Sequence, residues 1–306
     1  MAGIWWLASF PKSGNTWLRI ALASLLSGRP ADINAMPLVS LIASNRAFFD
    51  NALGIESADL TIEQVTNLRP RAYEIWTAEA ERPIYCKTHD AYCMTPAGEP
   101  LFPTAVTLGA VYIVRDPRAV AVSLAHHGAR TIDEAIVRMD DPAATPSAST
   151  RRLHRQLPEI RGAWRDHVES WLSAPFPVHL LRYEDMHRDP HGAFTAVAAF
   201  LGLPCDRERI AAAVDAASFA RLQAQERATG FIEKPIQAAA FFREGSIDGW
   251  RRALLAEQAA HIATANDDIM RRCNYDTLLM PLPGRAERHS NPAAQPSCGA
   301  VPKRSG

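Results

Sequence analysis

The chain has 306 residues, with 33 basic and 33 acidic side chains, and so no formal net charge. Nothing draws the molecule as a whole toward nucleic acid or an anionic membrane, and an anionic ligand must be held by local charge. Cysteine is sparse. Cys86, Cys93, Cys205, Cys273 and Cys298 form no C-x-x-C pair and no metal-ligand spacing. At this size that usage argues against a disulfide framework and for free thiols in a reducing compartment. No apolar run approaches the roughly 20 residues of a membrane span. The runs Ile4 to Leu7 and Leu18 to Leu26 are separated by Lys12 and broken by Arg19, and no basic segment precedes them. They do not read as a signal peptide, and a cytoplasmic protein is expected. There is no internal repeat.

What the chain has is a core: 47% of its residues are hydrophobic. Ile4 to Ala8, Ile84 to Lys87, Ala110 to Val114 and Val178 to Leu181 are short runs without inside/outside alternation, as in parallel strands covered on both faces. Helical patterns follow at Asn15 to Leu26, Pro117 to His126 and His191 to Leu201. Strand-then-helix repetition predicts an α/β fold, a P-loop-like, doubly wound sheet of parallel strands flanked by helices, with ligands at the carboxyl ends of the strands. Residues 1–280 read as one domain. The Pro-, Gly-, Ser- and Arg-rich stretch 281–306 reads as a disordered tail. Asp140 to Thr150 reads as a mobile loop, and Arg151 to Leu172 as an amphipathic helix broken at Pro158.

The strongest local signal is Phe10-Pro11-Lys12-Ser13-Gly14-Asn15-Thr16-Trp17, between a strand and a helix. Such a turn aims free backbone N–H groups and the positive end of the helix dipole at one spot. Gly14 allows close approach of a phosphate, Lys12 adds a full charge, and Ser13 and Thr16 add hydroxyl donors. The nucleotide-triphosphatase pattern G-x-x-x-x-G-K-[ST] is absent, because the lysine precedes the glycine, and no strand-end acid stands ready for magnesium. Alone, the turn is also compatible with an ordinary strand-to-helix connection carrying a surface lysine.

Four further segments complete a family pattern. Cys86-Lys87-Thr88-His89 closes one strand, and Val111 to His127 reads VYIVRDPRAVAVSLAHH. Leu181 to Met186 reads LRYEDM, and Phe242-Arg243-Glu244-Gly245 precedes Gly249-Trp250. With PKSGNTW these resemble, in order, the motifs of the soluble, small-molecule type of PAPS-dependent sulfotransferase, where PAPS is 3′-phosphoadenylylsulfate. The resemblance implies that Lys12, Ser13, Gly14, Asn15 and Thr16 hold the 5′-phosphosulfate of PAPS. It implies that Arg115 and Ser123 grip the 3′-phosphate, with Arg243 and the Gly245 N–H closing over it. It places Trp17, Tyr183 and Phe219 about the adenine and makes His89 the catalytic base. Three departures stand out: Asn15 replaces a threonine, Glu244 replaces a lysine at the 3′-phosphate site, and Asp248-Gly249 inverts a Gly-Asp pair. The family's dimerisation signature is not found between Arg251 and Tyr275, so the oligomeric state is left open.

The chemistry fits these residue types. In-line sulfuryl transfer builds charge on the leaving phosphate oxygen, which Lys12 and a second cation, Lys87, can stabilise. A histidine is half-neutral near pH 6.5 and can take the acceptor's proton. The expected product is PAP, the acceptor is a small molecule with a hydroxyl or amine, and no metal is expected. The acceptor pocket is expected from Asp32 to Tyr73, Asp90 to Pro103 and parts of Asp140 to Thr150, whose Phe48, Phe49, Tyr92 and Phe102 predict an apolar or aromatic acceptor. Glu184 and Asp185 read as structural rather than as an acid/base pair, and His126-His127 lacks a third metal ligand. The competing functions are an ATP-dependent small-molecule kinase and a nucleotide-binding regulator without catalysis.

Overall fold

The computed structural model describes residues 2–36, 38–39, 41–148 and 153–277. The expected tail at 281–306 lies outside the described residues, as does the end of the expected loop at 140–150. In chain order the elements are β1 (Ile4–Ser9), α1 (Asn15–Ser27), β2 (Leu41–Ile42), α2 (Arg46–Leu53), α3 (Ile62–Ala78) and β3 (Ile84–Thr88). Then come β4 (Thr107–Val114), α4 (Pro117–Gly128), α5 (Ile132–Met139), α6 (Trp164–Leu172), β5 (Val178–Arg182), α7 (Tyr183–Arg188) and α8 (Pro190–Phe200). The chain continues through α9 (Arg207–Ala216), α10 (Phe219–Thr229), α11 (Trp250–Ala253), α12 (Ala256–Ala265) and α13 (Asp267–Arg272). No described helix is long and apolar enough to cross a membrane.

The five strands run parallel in the order β2-β3-β1-β4-β5. Trp6, Ala8, Ala110, Tyr112 and Val114 point into one core, and Leu7, Val111 and Ile113 into the other. A strand that feeds two cores has no polar face, which is why the four runs were legible as unbroken apolar sequence. The chain leaves central β1 toward β3 on one side and returns as β4 on the other. The crevice where that order reverses lies beyond the carboxyl ends of β1 and β4.

Local chemistry fixes the helix starts. Asp116 caps α4 by accepting from the Arg118 N–H at 2.9 Å, and Pro117 takes the first turn, where no N–H is needed. Thr61 and Gln64 form a reciprocal capping box on α3.

The expected helix from Arg151 to Leu172 is not formed as such: helix begins only at Trp164. Residues 153–163 instead form an extended strap past the carboxyl ends of β2 and β3. Leu157 N–H donates to the Ser44 carbonyl at 2.7 Å, and Ile160 N–H to Asp90 Oδ1 at 2.7 Å. Pro158 has no N–H to give a helix, and these partners satisfy the neighbouring backbone instead. Asp90 also receives both arms of the fully buried Arg69, at 2.8 and 2.6 Å. A buried pair stripped of one member leaves an uncompensated charge. Arg69→Leu is therefore expected to cost about 3–5 kcal/mol of stability in urea unfolding.

Candidate active site

The turn after β1 takes the shape that close approach to an anion needs. Lys12 (φ 70) and Gly14 (φ 107) both adopt left-handed backbone, and α1 starts immediately after. A Cβ on Gly14 would come within 2.6 Å of the Tyr183 ring, so the tyrosine packs directly on the glycine. Asn15 donates its amide to the Leu7 carbonyl at 2.8 Å and to Ser9 Oγ at 3.2 Å, tying the turn to its own strand. That bond explains how asparagine serves where threonine was expected.

A cavity of about 640 Å³ opens above the strand ends, within the range of ligand sites. It is lined by Lys12, Gly14, Asn15, Thr16, Trp17, Lys87, His89, Arg115, Ser123, Tyr183, Phe219, Arg243 and Gly245. Of the catalytic and donor-binding residues expected from sequence, Ser13 alone is absent from the wall. It is fully buried, with its hydroxyl unpartnered. Arg115 donates to the Lys12 carbonyl and to the Ser246 carbonyl, each at 3.0 Å, and its guanidinium carbon lies 4.1 Å from the centre of the Tyr183 ring. One side chain thus joins the β1 turn, the β4 end and the late motif. Gly245 (φ 60) lies against Phe219, where a Cβ would come within 2.8 Å of the ring. Trp17 meets Tyr183 and His187 edge-on, at 5.8 and 4.7 Å between ring centres. Glu244 draws in Arg243 at 3.1 Å and Arg252 at 2.8 Å, so two arginines surround the carboxylate that replaced a lysine.

Several donors here have no protein partner: Ser13 Oγ, Trp17 Nε1 and Arg115 Nε are all buried and unsatisfied. Unpaired buried donors are costly, and those of Trp17 and Arg115 belong to residues of the cavity wall, where they fit an anionic nucleotide. The nearest strand-end acids are already committed. Asp116 holds Arg118, Asp90 holds Arg69, and Glu184 accepts from Asp116 N–H and Tyr275 OH. Asp185 pairs with Arg182 and Arg188 at the surface, the structural role read from sequence.

Lys12, Lys87 and His89 face the cavity beside the turn. Lys12 Nζ lies 3.3 Å from His127 Nδ1 and 4.3 Å from the centre of the Phe241 ring. Burial, with Arg115 and Lys87 nearby, lowers its pKa to about 8. Lys87 is not a free cation: it pairs with Glu233 at 3.3 Å, and Glu233 also takes buried Arg19 at 2.7 Å. Burial pushes Glu233 up, but Lys87 and Arg19 outweigh it and hold the carboxyl below its usual range. His89 Nδ1 lies 2.8 Å from the Ser9 carbonyl, which can only accept. The proton therefore sits on Nδ1, and Nε2 keeps its lone pair. Burial and then Lys87 hold the His89 pKa well below 6.5. Its own carbonyl is gripped by His167 Nε2 at 3.1 Å, and His167 in turn receives Tyr112 OH at 2.8 Å.

The aromatic residues of the expected acceptor wall lie elsewhere. Phe48, Phe49, Tyr92 and Phe102 do not line the cavity; Phe49 and Phe102 are core, and Tyr92 packs among Phe102, Trp171 and Phe176. Among the described residues, 90–103 contribute nothing to the wall, 32–73 contribute only Ile42, and 140–148 contribute only Pro146. The strap and the segment before the late motif take their place, with Glu159, Arg161 and Glu233, none of them signalled by local sequence. His127 is different, since its i,i+4 spacing from Ser123 puts both on one helix face.

Residues 4–274 match the sulfotransferase domain family. The chain belongs to that family. Its chemistry is transfer of a sulfuryl group from PAPS, and the kinase and regulator alternatives find no support. Among its relatives, human Sulfotransferase 2B1 is 25% identical over 260 residues, which cover 83% of this chain and 62% of that protein. This sulfotransferase therefore spans somewhat under two thirds of that relative's length. In fold it resembles a retinol dehydratase in complex with androsterone and inactive cofactor PAP, with a TM-score of 0.59 at 19% identity and coverage of 91% of this chain and 82% of the other. It also resembles mouse sulfotransferase SULT7A1 complexed with PAP, with a TM-score of 0.57 at 20% identity and coverage of 89% and 87%.

Proposed function

We propose that this sulfotransferase binds PAPS along the β1 turn and the Arg115 side of the cavity and passes its sulfuryl group to a small acceptor, with His89 as general base. The observation that carries the reading is the His89 Nδ1 contact with the Ser9 carbonyl, which leaves Nε2 free to accept a proton on a residue that lines the cavity. PAPS supplies the electrophilic sulfur and a good leaving group. Lys12 and the N–H groups of the turn supply positive charge at the leaving oxygen. Arg115, Ser123, Arg243 and the Gly245 N–H form the 3′-phosphate end, and Trp17, Tyr183 and Phe219 the adenine end. His89 takes the proton of the acceptor hydroxyl or amine. Lys87 acts beside Lys12 with its charge shared with Glu233. A cytoplasmic location is part of the proposal, as is an acceptor of small-molecule size, which the androsterone in the similar fold supports.

Calorimetry without magnesium tests the donor assignment. PAP is expected to bind at least about tenfold more tightly than ADP or ATP, since only PAP carries the 3′-phosphate that a charged pair can hold. Equal or better binding of ATP would remove the reading. Arg115→Ala is expected to weaken PAP about 10- to 100-fold. An unchanged affinity would take Arg115 out of the site.

A further inference from the structure

We infer that the acceptor is a small hydroxylated carboxylate whose anionic group is held by Arg161; the inference rests on the reading of His89 as base. The acceptor end of the cavity lies beyond β3, where the strap 153–163 crosses. Arg161 lines that wall, its guanidinium carbon 5.1 Å from the centre of the Phe10 ring at the foot of the turn. Phe10 meets His167 at 5.4 Å between ring centres, and His167 holds the His89 carbonyl. Arg161 and His89 thus flank one aromatic pair.

The guanidinium is largely unspent. It donates Nη2 to the Arg138 carbonyl at 2.8 Å, while its buried Nε has no partner. Among the described residues no carboxylate lies within 4.0 Å of it, nor of Arg130 on the same cavity wall. An arginine cannot shed its charge to escape burial as lysine can, so an unpaired one beside a cavity favours an anion, and its planar fork suits a carboxylate.

Glu159 and Asp141 lie near enough to favour the Arg161 charge, but neither acid on this wall, Glu159 or Glu233, pairs with it within 4.0 Å. Glu233 is committed to Arg19 and Lys87. Glu159 accepts from Ser44 Oγ at 2.8 Å through one oxygen, and burial, with Asp90 nearby, raises its pKa to about 6. Its other oxygen can accept from an acceptor hydroxyl. The cavity must seat donor and acceptor together, which keeps the acceptor small.

The test is calorimetric binding to the full-length, PAP-loaded protein. The probes are 4-hydroxybenzoate against its methyl ester, D-glucuronate against D-glucose, and tyramine as the cationic counterpart. At least one acid is expected to bind about tenfold or more tightly than its neutral partner and than tyramine. Arg161→Gln is expected to erase that difference while PAP binds as before. Were the variant not to fold, the acid-to-neutral contrast in the natural protein would decide alone. Equal binding of acid and neutral, preference for tyramine, no binding by either acid, or a preference that survives Arg161→Gln would each overturn the inference. Failure of the natural protein to bind PAP would bring down the donor reading, and this inference with it.

Discussion

Replacing His89 with alanine is expected to lower turnover by about 100- to 10,000-fold, the usual worth of a positioned general base, while PAP affinity stays within about twofold. The separation follows from placement. His89 bonds to Ser9, and among the described residues an expected donor-binding side chain, Asn15, reaches it only through the Ser9 hydroxyl. Single-turnover transfer from labelled PAPS measures the first quantity and calorimetry the second. A variant that loses PAP binding in step with turnover would show that the histidine holds the site together rather than taking a proton. The pH profile adds a sign. Burial and Lys87 lower the His89 pKa, so the imidazole stays neutral below pH 6.5. Only the neutral form can accept a proton, so turnover is expected to hold as pH falls through the region where an exposed histidine would charge. His89→Asn keeps a polar side chain of similar reach but offers no base, and is expected to be as slow as the alanine variant.

The residues that sequence made visible share one property: they lie beside a strand end, with the signal written locally. Lys12 to Trp17, Lys87, His89 and Arg115 each follow an apolar run that both cores must bury, so strand and site were legible together. The acceptor wall had no such marker. Glu233 is more than 140 residues from Lys87 in sequence and meets it only because the segment before the late motif folds back across the cavity. The strap failed as a helix for a related reason. Its amphipathic pattern was real, but Ser44, Asp90 and Pro146 offered backbone partners that the local pattern could not announce. Of the four aromatic residues expected at the acceptor, Phe102 and Tyr92 were drawn instead to the core behind β1 and β3, and Phe49 to a cluster with Val65, Ala72 and Leu157, where large apolar rings contribute most. Phe48 is the exception: it lies partly exposed against Trp76, away from the cavity.

Lys12→Met carries the second large effect, an expected loss of about 100- to 1,000-fold in turnover, the scale of removing one preorganised donor at a developing oxyanion. Its signature is a proton. Burial lowers Lys12 to about 8, with Arg115 and Lys87 adding to the shift, so half of the free enzyme has lost this charge at about pH 8. PAP binds the charged form. Its affinity is therefore expected to fall as pH rises through 8, with little change from Lys12 below about pH 7. A bound phosphate raises the lysine pKa again, so binding at pH 8.5 should take up a proton, whereas binding at pH 7 should not do so through Lys12. Calorimetry in buffers of different ionisation enthalpy reads that uptake directly. His127, the other group in contact with Lys12, has its pKa lowered to about 4 and contributes nothing in this window. In Lys12→Met the uptake at pH 8.5 is expected to vanish. If turnover survives the substitution while the uptake is lost, Lys12 binds the donor without stabilising the leaving oxygen. That task would then pass to Lys87, whose charge Glu233 already shares.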